Sequence, residues 1–426
     1  MTALDFPPKP VSLGARAQSC RLRVLVTAST FPMRLDDGRP RFVFDLADSL
    51  AKHADVTVLA PDSPGALQTE RIGHVDVSRF TYFLPRSWQC LAASAGNGMR
   101  ENFRNSWLAA MQLPPFLGQQ IRATRALVKS RQIDVINAHW IIPQGLTAAL
   151  AIGRRRTARL VLHVHAGDVY LLQKLRFGRQ LARFVVGRCS HIIADGSHVR
   201  DSLNDLVGFD SGAVIQSMGV NRDIFSPDGR RDSVSIDEAV DFPNGYLLFV
   251  GRFVEKKGVT YLVRAMQTIL ERHPGLGLLL VGNGPEEEAL KQQVSTLGLG
   301  NSIRFLGRKP HSEIIRYLHG CRLAIVPSII DSLGETEGMP TVVVEAMAAG
   351  VPVVGSRVDG IPDVIRHEEN GWLCREKDPT DLAEKILDGL TTENTDAIVQ
   401  QALITAENYD WQQVANNYMS WIRDDR

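Results

Sequence analysis

Short apolar runs alternate along the chain with longer stretches in which every third or fourth position is apolar. The runs are rich in Val, Ile and Leu and too short for helices, so they predict buried strands. The longer stretches predict helices with one face turned inward. In the first half, strands read at 22–28, 55–59, 134–138, 160–164, 191–194 and 213–217. Helices read at 42–50, with Phe42, Leu46 and Leu50 on one face, and at 120–131, 145–152 and 171–188. In the second half, strands at 246–250, 277–281, 302–306, 322–326 and 351–354 alternate with helices at 259–271, 286–297 and 313–318 and a helix opening near Pro340. The end reads as helical at 381–389, 396–406 and 410–423. Strand, helix, strand at this spacing predicts parallel sheets with right-handed crossovers. Residues 62–116 break the alternation. They hold Phe80, Tyr82, Phe83, Trp88, Phe103, Trp107 and Phe116, with Arg86, Arg100 and Arg104 among them. The plainer expectation there is a helical excursion packed on the first domain; the sharper one is a basic, aromatic surface meeting a lipid-linked acceptor or a membrane face.

At 426 residues the chain is too long for one ordinary core. A polar stretch at 226–243, carrying Pro, Gly and Asp turn formers, reads as a linker. The expected organisation is therefore a loose tail at 1–20, a domain at 21–225, the linker, a second domain at 244–405, and a last helix at 406–426 packing back on the first domain. Both domains read as Rossmann-like and doubly wound, facing across a cleft. A hydrophobic fraction of 44% with 22% charged residues is globular, and a net charge of +1 gives no field favouring nucleic acid. The five cysteines form no Cys-x-x-Cys, which argues against a zinc site or disulfide framework and fits a reducing compartment. No apolar run approaches the ~20 residues of a membrane span, and residues 1–20 hold no signal-peptide core, so a cytoplasmic protein is expected.

In open α/β sheets, ligands bind beyond the carboxyl ends of the strands. Read that way, the second half converges on an anionic ligand. Strand 246–250 ends in Gly251-Arg252, and Lys256-Lys257-Gly258 precedes a helix. An arginine and a lysine beside a helix start can clamp a diphosphate, although surface charge explains either alone. Gly282, Gly284 and Gly307 follow the next two strands and let backbone approach a flat or phosphorylated ligand, although plain turns would do the same. Glu337-Gly338-Met339-Pro340-Thr341 then leads into a helix carrying Glu345. Its free N–H groups and dipole form an anion site, and Glu345 stands in an apolar context where an unneeded carboxylate is costly. Phosphate and sugar in one ligand would satisfy both halves. In the first half, strand 160–164 ends in His165, with Gly167 and Asp168 following, well placed to bind sugar hydroxyls. Strand 134–138 ends in His139 and Trp140, the latter a core residue or an aromatic wall for a sugar. Strand 22–28 leads to the loop of Gly38.

Together these residues resemble family 4 of the retaining, nucleotide-sugar-dependent glycosyltransferases, with the GT-B fold, over about residues 22–425. The two glutamates separated by seven residues, Glu337 and Glu345, fit its signature, as does the run through Gly350-Val351-Pro352-Val353. His165-Ala166-Gly167-Asp168 resembles the family's His-Gly-x-Asp, with the glycine one place later. Gly38 stands where the family often has two glycines, and Met218-Gly219-Val220-Asn221 where it has Asn-Gly-Val-Asp. The resemblance implies that Arg252 and Lys257 bind the donor diphosphate and stabilise the leaving group, with Gly38, Gly251, Gly282, Gly284 and Gly307 close by. It implies that Glu345 holds the ribose and that Glu337, assisted by Gly338, Met339, Pro340 and Thr341, holds the sugar of a UDP- or GDP-sugar. His165 would sit at the reaction centre as a catalytic residue, with His139, Trp140 and Asp168 binding a saccharide or lipid-linked acceptor. Front-face attack and polysaccharide or glycoconjugate assembly at the inner membrane face are the family expectations. No Asp-x-Asp occurs in the chain, so no metal and no cofactor is expected. A non-hydrolysing sugar-nucleotide epimerase and an inactive sugar-nucleotide-binding subunit are the alternatives; the His165 motif and the glutamate spacing favour transfer.

Overall fold

A computed structural model describes residues 21–34, 41–92, 98–153, 157–228 and 242–423. The predicted tail, Gly38 and most of the predicted linker lie outside these residues. Contacts divide the chain into two units. One takes in Met1–Ala194, Arg200–Ile215 and Val414–Arg426, the other Asp195–Val199 and Gln216–Gln413.

The first unit is built on β1 (Arg23–Thr27), β2 (Asp55–Pro61), β3 (Thr69–Ile72), β4 (Val75–Phe80), β5 (Val135–His139), β6 (Arg159–Val164), β7 (His191–Ala194) and β8 (Val214–Ile215). They form one sheet in the order β3-β4-β2-β1-β5-β6-β7-β8, parallel except for the β3–β4 hairpin. Buried runs such as Val24-Leu25-Val26 suit a sheet covered on both faces.

The second unit contains β9 (Tyr246–Val250), β10 (Gly277–Val281), β11 (Ile303–Gly307), β12 (Leu323–Val326), β13 (Val353–Ser356) and β14 (Trp372–Cys374). Their order is β11-β10-β9-β12-β13-β14, all parallel. Alternate residues of β9 feed opposite cores. Tyr246 and Leu248 join Val343, Met347 and Ala402, whereas Leu247 and Phe249 join Leu262, Met266 and Ile386. This two-sided burial makes the sheet doubly wound and leaves its strand ends for ligands.

Three expectations need correction. Residues 62–116 are not a helical excursion throughout. Residues 69–80 form the β3–β4 hairpin around Gly73, a short helical turn follows at Arg86–Trp88, and α-helices come at Met99–Asn105, Trp107–Met111 and Leu113–Ser130. The helix expected at 171–188 is two, Ala166–Lys174 and Gly178–Val186. They pass so closely that a Cβ on Gly178 would lie 1.7 Å from the Leu172 carbonyl oxygen, so only glycine fits where the second begins. The short strand β14 was not anticipated, because three apolar residues are too few to signal one.

Candidate functional site

In the second unit, the helix Thr341–Ala348 buries Val343, Val344, Ala346, Met347 and Ala348 and leaves Thr341 and Glu345 half-buried on one stripe. Pro340 caps it in an extended conformation and Gly350 ends it at φ +69. Glu337 lies in the loop just before the helix, its side chain 14% exposed. The Lys257 ammonium donates to Glu337 Oε2, and Lys256 Nζ stands 3.7 Å from Oε1. Burial alone would raise the Glu337 pKa; the charges of Lys257 and Lys256 outweigh it and hold the carboxylate below its ordinary range.

Both lysines sit in the turn Glu255–Lys257 that opens the helix Val259–Arg272. The turn closes at Gly258, whose φ is +66 and whose Cβ, if it had one, would lie 1.9 Å from the Pro327 carbonyl oxygen; only glycine fits. The main chain of Lys256 is also tied down, its carbonyl accepting from Ile329 N at 2.8 Å. Gly251, Gly282 and Gly307 meet at the ends of β9, β10 and β11, with Gly251 N donating to the Val281 oxygen and Gly282 N to the Gly307 oxygen, each at 2.9 Å. Gly284 backs onto Phe253, and Arg252 is exposed beside them. Gly338 follows Glu337 directly, and Met339 is buried. The second unit thus gathers Arg252, Lys257, Glu337 and Glu345 around strand ends and two helix starts, an arrangement suited to an anion joined to a hydroxyl-rich group.

In the first unit, His139, His163 and His165 cluster where β5 and β6 end. His139 pairs in register with His163, and His165 follows directly past the end of β6 in extended backbone. Their rings stack, the His163 and His165 centroids 4.7 Å apart and only 7° from parallel. His139 Nδ1 lies 3.2 Å from His165 Nε2, and the Tyr418 hydroxyl bonds to His163 Nδ1. Trp140 and Phe42 close on His165 at 4.9 and 5.6 Å.

Two of the residues expected to bind the acceptor are buried. His139 is wholly buried against His165. Asp168 is 4% exposed, and its oxygens accept from the backbone N–H groups of Ile141 and His165. Burial pushes its carboxyl up to about 7, against the lowering effect of His165 and those N–H groups. It therefore locks the start of the helix Ala166–Lys174 and orients His165. Trp140, at φ +71, keeps an accessible face. Sequence reading gave no site role to His163, and it took Phe42 only as part of a buried helix face.

The chain matches two family models, Glycosyl transferases group 1 over residues 237–405 and Glycosyltransferase Family 4 over residues 37–223. An uncharacterized glycosyltransferase of Methanocaldococcus jannaschii is 29% identical over 63% of this chain and 68% of its own. An amylovoran biosynthesis glycosyltransferase of Erwinia amylovora is 36% identical over 33% of this chain and 35% of its own. Among solved structures, sucrose-phosphate synthase from Thermosynechococcus elongatus superposes with a TM-score of 0.73 at 19% identity, covering 95% of this chain and 98% of that one. HepE from Anabaena in complex with UDP-glucose superposes with a TM-score of 0.67 at 20% identity, covering 94% of this chain and 100% of that one.

Proposed function

The chain belongs to the group 1 glycosyltransferases with the GT-B fold, and from that premise we propose that it transfers a hexosyl unit, with retention, from a nucleoside diphosphate sugar to a saccharide or lipid-linked acceptor. The observation that carries the donor reading is the ionised Glu337 held between two lysines, ahead of a helix start. Arg252, Lys257 and the helix dipole hold the diphosphate and stabilise it as it leaves. Glu345 takes the ribose hydroxyls, and Glu337 takes the sugar. His165, braced by Asp168 and the histidine cluster, stands at the reaction centre, where the acceptor attacks the same face that the diphosphate leaves. Substitution of Arg252 costs on the order of 10²–10³ in turnover, as for other preorganised charge-stabilising groups.

The reaction runs without a metal, a reading that rests on the lack of any Asp-x-Asp pair in the sequence. The Erwinia relative's name, an amylovoran biosynthesis glycosyltransferase, supports a biosynthetic role, and the UDP-glucose complex of HepE supports a uridine donor. Among the described residues, no helix is long and apolar enough to cross a membrane. Leu84, Trp88, Trp107 and Met111 are each more than half exposed, which supports peripheral contact of the first unit with the inner face of a membrane. Arg86 adds little charge there, since it is bound to the buried Asp62.

A thermal-shift screen against UDP, GDP, ADP and their common sugars tests the donor reading. A ligand at 100 times its Kd should stabilise by about 2.7 kcal/mol. Stabilisation by one nucleotide sugar beyond its free nucleotide is expected; no shift with any of them would overturn the reading. Formation of an epimeric nucleotide sugar without acceptor would mark an epimerase instead. Activity that chelator abolishes and magnesium restores would refute metal independence.

A further inference from the structure

Asp359 has no part in the steps above. It lies in the second unit just beyond β13, in the turn Val358-Asp359-Gly360. Its φ is +55, a left-handed conformation that glycine would adopt more readily. The turn rests on the loop that carries Glu337. Gly360 N donates to the Gly338 carbonyl oxygen at 3.3 Å, and a Cβ on Gly360 would lie 3.2 Å from that oxygen. Both carboxyl oxygens of Asp359 are shut off from solvent; the Thr336 hydroxyl stands beside them as a weak hydrogen-bonding neighbour, and among the described residues neither group meets a partner in good geometry. Strained backbone and unmatched buried polar atoms in one residue are costly in a chain that needs neither. They mark a group whose partner comes from outside the chain.

The chemistry narrows that partner. Burial holds the Asp359 carboxyl up to about 9, with the negative charges of Glu337 and Asp195 adding to the rise and Lys256 opposing it. At neutral pH Asp359 is therefore a carboxylic acid, with one O–H to donate and an oxygen to accept. Glu337, ionised, only accepts. An acid beside a carboxylate matches a hydroxyl, which both donates and accepts; a phosphate would be repelled by Glu337.

Resting on the reading of Glu337 as the sugar-binding carboxylate, we propose that Asp359 is a second sugar-binding residue, donating its carboxyl proton to a hydroxyl oxygen of the transferred hexosyl unit. It discriminates among donors by their sugar and leaves nucleotide affinity unchanged.

Calorimetric titration of the full chain tests this, using UDP with UDP-glucose, GDP with GDP-mannose and ADP with ADP-glucose on wild type, Asp359→Gly and Asp359→Asn. Glycine suits the left-handed backbone, and asparagine keeps the shape and a donor. For the pair that wild type binds, free nucleotide should bind all three proteins alike. Nucleotide sugar should bind about tenfold more weakly to Asp359→Gly, the scale of one lost hydrogen bond, and near wild-type strength to Asp359→Asn. Equal nucleotide-sugar affinity in wild type and Asp359→Gly overturns the role of Asp359 alone. So does a loss in Asp359→Asn as large as in Asp359→Gly. If wild type gains nothing from any sugar over its nucleotide, the Glu337 reading fails and this proposal falls with it.

Discussion

Lys257 and Glu337 are each mostly buried, at 16% and 14% side-chain exposure, and each meets its counter-charge in the other. Removing one partner of such a pair leaves a charge stranded, whereas removing both is far milder. Lys257→Met should therefore destabilise the fold by about 3 kcal/mol, softened by Lys256, and Lys257→Met with Glu337→Gln should recover most of it. Urea unfolding of the two variants checks this; equal losses would show that the pair is not coupled. Asp359 gives a pH signature. Its folded carboxyl is raised from 3.8 to about 9, so between those values the folded state binds more protons than the unfolded one. Its contribution is fully present below about pH 4 and is lost as pH rises toward 9. Asp359→Asn lacks that loss, so its melting temperature should gain on wild type steadily from pH 4 to pH 9. A difference that does not vary with pH would contradict a raised carboxyl. At this scale what could be read from the chain is the order of turn glycine, lysines and helix start, and the structure brings Lys257 to Glu337 there. Sequence position does not say whether a residue at a strand end faces a ligand or the core, and His139 and Asp168 are buried at theirs.

The last helix, Trp411–Arg423, brings Tyr418 from far along the chain to His163. Both are wholly buried, so loss of the hydroxyl removes a bond that no water replaces. Tyr418→Phe should cost about 1–3 kcal/mol, seen as a lower urea midpoint at unchanged m. It should also slow turnover more than it weakens donor binding, because His163 stacks on His165. A variant with wild-type stability and turnover would show that the contact is idle. Most strands were legible because each is a dense Val, Ile and Leu run, and they stand within a few residues of their expected limits. The β3–β4 hairpin was not. Its β4 strand alternates Val75 and Val77 with polar residues, a period-two signal that the surrounding aromatics and arginines obscured.

At the scale of the molecule, the chain divides into two α/β units, each with its own sheet and its own cluster of chemistry. The Lys256, Lys257 and Glu337 charges gather in the second unit and the histidine cluster in the first. The fold class was legible because strand–helix alternation leaves few parallel topologies open. The acceptor was not, because the part of the first unit that varies most from the alternation, residues 62–116, exposes Trp88, Phe103 and Trp107 without a periodic pattern to assign them. If that surface meets lipid, the protein should sediment with vesicles containing anionic lipid, and Trp88→Ser with Trp107→Ser should release it. Equal sedimentation with and without vesicles would contradict the membrane reading.

The central claim is that the second unit divides a nucleoside diphosphate sugar between Arg252, at the diphosphate, and Glu337, at the sugar. Calorimetric titration of wild type, Arg252→Ala and Glu337→Gln with one free nucleotide and its sugar tests it most directly. Arg252→Ala should weaken both ligands by a similar factor, and Glu337→Gln should weaken only the nucleotide sugar, down to the affinity of the free nucleotide. A Glu337→Gln protein that still prefers the nucleotide sugar as strongly as wild type would contradict the account.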